Sequence, residues 1–189
     1  MDSFEQIVSE ILWRKGYWVH TRVKVELTKE EKKAIGIPTS PRWELDIVAY
    51  NGRDNLLRVV ECKSFLDSNG VALRAFNGND ERFAKRFKLF NDERLRKVVF
   101  SCLCRQFTKS GLCRSRPAIK LCLVCGKITS EADRKGLRKL FAPKRWELWD
   151  ESWLCERLKE MAKGGYEDQV SAVVAKLLVK HFGAKPRAI

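Results

Sequence analysis

The apolar and polar positions of this chain follow a two-residue period most clearly around one turn. Residues 44–50 and 56–64 form two short runs rich in β-branched side chains, and Asn51-Gly52 lies between them. An Asn-Gly pair between apolar runs is a strong short-range indication of a β-hairpin. The pattern therefore predicts two adjacent antiparallel strands in this part of the chain.

Three charged residues interrupt these otherwise apolar strands: Asp46, Glu61 and Lys63. A buried charge costs several kcal/mol unless it is paired or bound to a metal ion. Because side chains alternate along a strand, Glu61 and Lys63 are expected on one face and Cys62 on the other. The charges therefore indicate a site rather than an ordinary core, and the alternative is a hairpin whose charges face water.

The turn also predicts how the two acids are placed. With Gly52-Arg53 as a two-residue loop, Asp46 lies opposite Val59, and Glu61 is its diagonal neighbour at roughly 7–8 Å. Two carboxylates across that gap can share one divalent cation, and oxygen ligands favour Mg²⁺ or Mn²⁺ over zinc. A lysine beside such an ion can orient a water or offset developing negative charge.

A helix is predicted before the hairpin, beginning with a capping box formed by Ser3 and Gln6 and ending at Gly16. Glu5 lies at the margin of the apolar stripe of this helix, while Glu10 falls on the opposite face. The helical spacing is carried by Phe4, Ile7, Val8, Ile11 and Leu12.

The remaining elements follow from the same periodicities. After a strand, Thr28 opens a capping box for a short helix that ends near Ile35. A strand over residues 97–104 is an alternative to the helix predicted there, because that stretch is apolar nearly all round. Helices are predicted over residues 80–90, 92–109, 130–141, 151–163 and 167–181, and strands over 17–26, 117–127 and 146–149.

Composition and charge narrow the class of protein. The chain has 189 residues, 44% hydrophobic and 33% charged, which fits a single globular domain over residues 1–189. Its net charge of +14 indicates a polyanionic partner, most simply nucleic acid. No apolar run approaches the roughly 20 residues of a membrane span, and no signal peptide is recognisable. A cytoplasmic protein that does not bind membranes is expected.

The cysteines allow a competing interpretation. Cys122 and Cys125 form a CxxC pair, but a second such pair or a pair of histidines is missing, which argues against a zinc site. The seven cysteines are therefore expected as reduced thiols, largely in the core. With only two histidines, and with no Walker loop or dinucleotide fingerprint, several other enzyme classes are disfavoured.

Asp46, fourteen intervening residues and then Glu61-Cys62-Lys63 resemble the PD-(D/E)xK nuclease signature, although Leu45 stands where that signature has proline. The resemblance implies a restriction-endonuclease-like α/β fold: a mixed sheet of about four to five strands flanked by helices. Residues 1–130 would form the core, and residues 131–189 a helical extension packed on it.

The resemblance also implies a function, a divalent-metal-dependent endonuclease that hydrolyses DNA phosphodiester bonds. Asp46, Glu61 and the backbone carbonyl of Cys62 would hold Mg²⁺ or Mn²⁺, and Lys63 would position the attacking water. A glutamate of the first helix joins the metal site in archaeal Holliday-junction resolvases, and Glu5 is similarly placed. Its alternative role is that of a first-turn glutamate favoured by the helix dipole.

The nucleic acid would be gripped through its phosphates by basic residues near this site, at Arg42 and along the predicted helix 80–90. The helix contributes Arg82, Lys85, Arg86 and Lys88, and an ordinary solvated helix surface is the alternative. The expected partner is DNA rather than RNA, and the resemblance allows a homodimer. A nucleic-acid-binding module that keeps the fold without catalysis, or a nuclease that acts on RNA, are the alternative functions.

Overall fold

The computed structural model describes residues 2–36, 42–76, 85–165 and 168–182 and shows an α/β protein built on one mixed five-stranded sheet. The strand order is the chain order. The first three strands pair antiparallel. The fourth strand pairs in parallel with the third, and the fifth pairs in parallel with the fourth. The strands are β1 (Trp18–Val25), β2 (Trp43–Asn51), β3 (Leu56–Lys63), β4 (Ala118–Cys125) and β5 (Glu147–Trp149).

Helices cover both faces of the sheet. Odd-numbered residues of β3 such as Val59 face a larger core, and even-numbered ones such as Val60 face a smaller core. The described α-helices are α1 (Ser3–Arg14), α2 (Lys29–Ala34), α3 (Lys88–Asn91), α4 (Glu93–Lys109), α5 (Glu131–Phe141), α6 (Glu151–Lys163) and α7 (Val170–Phe182). Of these, α4 and α5 line the larger core, whereas α1 and α6 line the smaller one.

The hairpin is present, but its predicted register is wrong by two residues. Val59 pairs with Val48 rather than with Asp46, and the last pair before the turn is Asn51 with Leu56. The cause is the side chain of Asn51, whose oxygen accepts the N–H groups of Arg53 and Asp54 at 2.9 and 3.4 Å and stabilises a four-residue loop, 52–55. Because a shift of two keeps every side chain on its face, the facing of the strands is unchanged.

The observed register places the two acids just beyond the ladder. The β2–β3 ladder ends at the pair Ile47 and Val60, so Asp46 and Glu61 are the next residues on the two strands. The predicted pairing of Asp46 with Val59 is not formed.

The alternation of β2 side chains between the two faces of the sheet is interrupted at Asp46. Leu45 lies in the larger core and Ile47 in the smaller one, although residues two apart on a regular strand share a face. The neighbouring strand is irregular at the same level, because Arg22 has a left-handed φ of 50° and does not pair with Asp46. Asp46 is therefore at a local twist, which lets its side chain turn toward β3.

Helix α1 is capped differently from the prediction. Asp2, not Ser3, is the N-cap: its carboxylate accepts the Glu5 N–H at 2.8 Å, and the Glu5 carboxylate accepts the Asp2 N–H at 3.3 Å. The capping-box partner is thus Glu5 rather than Gln6. The capping box predicted at Thr28 is confirmed, with Glu31 as its partner.

The other predictions differ in outcome. Residues 93–109 are helical, so the alternative strand at 97–104 is wrong. Of the helix predicted over 80–90, a 3₁₀ turn at Lys85–Phe87 and the short α3 are observed, and residues 80–84 lie outside the described ranges. Phe87 and Phe90 are buried, whereas Phe83 lies outside the described residues. The large apolar side chains of the last helix face outward.

Residues after 130 build the same cores as the hairpin. Phe141 of α5 stacks on Phe90 in the larger core with a centroid distance of 5.3 Å, and α6 contributes Leu154 and Met161 to the smaller core. Strand β5 extends the sheet through its pairing with β4. Within the described ranges, no helix combines the length and apolar character needed to cross a bilayer.

Candidate active site

The two acids and the lysine of the predicted signature lie together where β2 begins and β3 ends. The Asp46 carboxylate accepts the backbone N–H of Cys62 at 2.8 Å, which fixes the direction of the carboxylate. The Lys63 ammonium donates to the Glu61 carboxylate at 2.6 Å. Strand alternation explains the second contact, because residues 61 and 63 share one face of β3.

This ion pair is largely removed from water. The side chains of Lys63 and Glu61 are 22% and 19% exposed. A pair in such surroundings is held by a charge-assisted hydrogen bond. Water screens it less than it screens an ion pair on the protein surface. The remaining exposed fraction leaves one side of the pair open to an entering group.

Burial is the main cause that raises the pKa of Glu61. The Lys63 ammonium opposes this, the carboxylates of Asp46 and Glu5 add to it, and the net direction is upward. Burial lowers the pKa of Lys63, but the charge and hydrogen bond of Glu61 outweigh it, so this pKa is also raised. The raised pKa of Lys63 requires an ionised Glu61, and the 2.6 Å contact between the Lys63 ammonium and the Glu61 carboxylate agrees with an ion pair. The upward direction at Glu61 then reflects mainly its burial, to which the charges of Asp46 and Glu5 add.

Glu5 belongs to the same electrostatic cluster, although it comes from another element. Burial raises its pKa first, and the charges of Asp2 and Asp46 raise it further. Its negative charge acts in turn on Glu61. Glu5 therefore takes part in the cap of α1 and also lies near the acids of the hairpin, while its role in a metal site stays a prediction.

Cys62 contributes its backbone rather than its thiol. The thiol points into the smaller core, and burial raises its pKa well above the ordinary range, so it is not a thiolate ligand. The Lys63 carbonyl accepts the Gly126 N–H at 3.0 Å on the β4 side. Because successive strand residues direct their backbone groups to opposite sides, the Cys62 carbonyl points with its N–H toward β2 and Asp46.

The donors at this site suit a hard cation. Carboxylate and carbonyl oxygens match Mg²⁺ or Mn²⁺, and Mg²⁺ in proteins keeps several waters while binding to one or two carboxylates. Across the described residues, no group of three or more His, Cys, Asp or Glu side chains is arranged to hold a metal. The fit therefore rests on the two acids Asp46 and Glu61, the Cys62 carbonyl and water.

Basic residues predicted for nucleic-acid binding lie near the beginning of β2. Arg42 is exposed directly before the strand, and the Lys88 ammonium lies 5.9 Å from the ring centre of Trp43. Lys85 and Arg86 are exposed on the preceding 3₁₀ turn. Arg82 lies outside the described residues. The structure thus brings α3 beside the strand that carries Asp46.

Two further cations near the site were missed by the sequence analysis. Arg74 and Lys127 line, with Arg86, a cavity of about 430 Å³ that also includes Phe65, two residues beyond Lys63. Lys127 follows the carboxyl end of β4, which is parallel to β3, so both strands deliver residues to one edge of the sheet. The rule that parallel strands end on the same side of a sheet could have identified Lys127 from the sequence. Arg74 lies on the short 3₁₀ helix Leu73–Phe76, and no local pattern identifies it as a residue of this cavity.

A close backbone contact joins this cavity to the site. A Cβ atom added to Gly126 would lie 2.3 Å from the Ser64 carbonyl oxygen, directly after Lys63. Only glycine allows the chain after β4 to pass that close to the chain after β3.

The zinc interpretation of the CxxC pair is excluded by the strand that carries it. Cys122 points into the smaller core and Cys125 into the larger core, since residues three apart on a strand face opposite sides. Burial raises the pKa of Cys125 to about 12, so this thiol stays protonated at neutral pH. All seven cysteines are free thiols.

Comparison of the chain with protein-family models, curated proteins and solved structures found no match. The class of protein that the fold defines is an α/β protein with a mixed five-stranded sheet and an acid-lysine cluster at one edge.

Proposed function

We propose that this protein is a divalent-metal-dependent nuclease of the PD-(D/E)xK type that hydrolyses DNA phosphodiester bonds. One observation carries the proposal: the Asp46 carboxylate, held by the Cys62 N–H, lies beside a shielded Glu61–Lys63 ion pair. Charges in this arrangement are costly for a fold to keep, and a cation would relieve the repulsion among the acids.

The residues have distinct roles in this proposal. Asp46, Glu61 and the Cys62 carbonyl would hold Mg²⁺ or Mn²⁺, with Glu5 nearby. When bound, the ion would act as a Lewis acid and would lower the pKa of the attacking water. Lys63 positions the attacking water and offsets the charge that builds on the phosphate oxygens in the transition state. The Glu61 carboxylate orients the Lys63 ammonium for that task.

The basic residues beside the site supply the grip on the substrate. Arg42, Lys85, Arg86 and Lys88 contact the phosphates next to the scissile bond, and the net charge of +14 draws the polyanion to the protein. Contacts of this kind orient a backbone without reading bases. Binding should therefore weaken steeply with salt and depend little on sequence.

One observation favours a second function, a nucleic-acid-binding module without catalysis. Glu61 directs a carboxylate oxygen at Lys63 at 2.6 Å, and Asp46 directs one at the Cys62 N–H, so each acid already has a partner within the protein. If these contacts only stabilise the end of the hairpin, DNA binds but is not cut.

A cleavage assay separates the two functions. Purified protein is incubated with Mg²⁺ or Mn²⁺ and duplex, single-stranded or branched DNA or RNA, and products are resolved by denaturing electrophoresis. Asp46→Asn keeps an oxygen for the Cys62 N–H but removes the charge, so cleavage should fall at least about 100-fold with binding retained. Asp54→Asn, in the exposed hairpin loop, is the matched control and should cut like the wild type.

Metal-dependent cleavage that Asp46→Asn abolishes and Asp54→Asn preserves supports the nuclease. Binding to any of the four substrates without cleavage under either metal supports the second function. The RNA arm decides the substrate class, because phosphate contacts alone do not distinguish DNA from RNA.

A further inference from the structure

Helix α7 carries its large apolar side chains on the outside. Its buried residues are Ala172 and Ala175, at 0% and 5% exposed, whereas Leu177 and Leu178 are each 53% exposed. An amphipathic helix normally turns its large apolar residues toward the core. The small residues of α7 pack on the protein, and the large ones are left for a contact outside this chain.

The exposed surface continues onto α1. Trp13, 61% exposed, lines a cavity together with Asp168 and Gln169, which lie directly before α7. Helix α7 is itself tied to α1, since the Ser171 hydroxyl donates to the Glu10 carboxylate. We define the α7 patch by the exposed apolar side chains away from the packed face: Trp13, Val170, Val173, Val174, Leu177 and Leu178.

The size of the α7 patch matches one side of a stable interface. The exposed fractions of its side chains amount to apolar area on the order of 600 Å², the upper end for the largest patch of a typical monomer. A standard interface buries about 800 Å² per partner, and homodimer interfaces are about 65% apolar. A patch of this size with one exposed tryptophan has the area and composition of a homodimer surface.

The two ends of α7 carry opposite charges, and Arg14 and Lys159 also border the α7 patch. Asp168 is exposed before the first turn of α7, and Lys180 and His181 are exposed in its last turn. When two such helices pack antiparallel, Asp168 of each copy lies near Lys180 and His181 of the other. The two helix dipoles then point in opposite directions, which is favourable. A two-fold axis requires this kind of self-complementary surface.

We propose that the protein forms a homodimer through the α7 patch, with the two α7 helices antiparallel about a two-fold axis near Val174. An open groove of about 440 Å³ between α1, α6 and α7, lined in part by Ile7, Leu158 and Leu178, receives side chains of the second copy. This proposal does not depend on the nuclease function.

Sedimentation velocity from about 1 to 200 µM at low and moderate salt tests the dimer. The wild type should sediment as a dimer at the higher concentrations. Leu177→Glu, at an exposed position, should leave the fold intact by circular dichroism and weaken dimerisation by about 100-fold or more. Leu112→Glu, 40% exposed and outside the α7 patch, is the matched control and should leave the dimer unchanged. A wild type that is monomeric throughout, or equal effects of the two variants, would overturn the proposal.

Cross-linking tests the antiparallel arrangement. In a Cys155→Ser background, which removes the exposed native thiol, Val174→Cys should form a disulfide between copies and Val170→Cys should not. Cross-linking at both positions would indicate parallel helices, and cross-linking at neither would indicate that α7 is not the contact. Either result overturns the proposed arrangement.

Discussion

Replacing Lys63 by alanine tests the site most directly, because it leaves Glu61 buried beside other acids. Breaking a fully buried ion pair by removing one partner costs about 3–5 kcal/mol. The Lys63 and Glu61 side chains are 22% and 19% exposed, so water recovers part of that cost. We expect Lys63→Ala to lower the free energy of unfolding by about 2 kcal/mol at pH 8.

The sign of the pH dependence follows from Glu61. Without the ammonium, burial and the charges of Asp46 and Glu5 raise the pKa of Glu61 still further above its value in the unfolded chain. A carboxyl whose pKa is raised in the folded state favours folding when protonated. The loss in Lys63→Ala should therefore be largest above this raised pKa and should shrink as the pH falls toward the unfolded value of about 4.3.

Urea denaturation of wild type and variant at pH 8 and pH 4.5 measures both effects. Lys63→Ala should also reduce cleavage at least about 100-fold while DNA binding is retained, since a transition-state donor is lost. The double variant Lys63→Ala/Glu61→Gln should recover stability but not cleavage, because the unpaired buried charge at position 61 is then also removed. Lys135→Ala, exposed on α5, is the control.

Two results would refute this reasoning. Unchanged stability of Lys63→Ala at pH 8 would mean that the ion pair is not shielded as the structure indicates. Wild-type cleavage by Lys63→Ala would remove the role of the ammonium in the proposed mechanism.

Three further predictions follow from other contacts. Calorimetric titration should show Mn²⁺ affinity falling as the pH is lowered through the raised pKa of Glu61, because protons then compete for the carboxylate; affinity that is equal at pH 8 and 5 would contradict this. Gly126→Ala places a Cβ 2.3 Å from the Ser64 oxygen and should cost about 2 kcal/mol or more in thermal or urea denaturation, whereas Gly165→Ala, with open space around it, should cost little. The hydrogen bond from Arg105 lowers the pKa of the Glu31 carboxyl to about 2. The stabilising effect of this pair is therefore present above the unfolded pKa of Glu31 and is lost as the pH falls toward 2. Glu31→Gln should be destabilising at pH 7, and a loss of stability that persists at pH 2 would argue against the pair.

The local pattern of the chain determined much of the fold and part of the site. The alternating hairpin, the helix over 93–109 and the buried strand β4 follow from short-range periodicity, and the structure contains them. The shared face of Glu61 and Lys63 also follows from alternation alone. That prediction survived an error of two residues in the register, because an even shift does not exchange the faces of a strand.

Only the tertiary structure decided which groups meet. The side chain of Asn51 stabilises the loop that goes with the observed register, and the packing of α1 brought Glu5 into the cluster of Asp46 and Glu61. Lys127 and the outward face of α7 depend on neighbours distant in the chain. Periodicity states which way a residue faces along its own element, whereas the contacts between elements depend on loop geometry and on how the cores fill, which no short stretch of sequence contains.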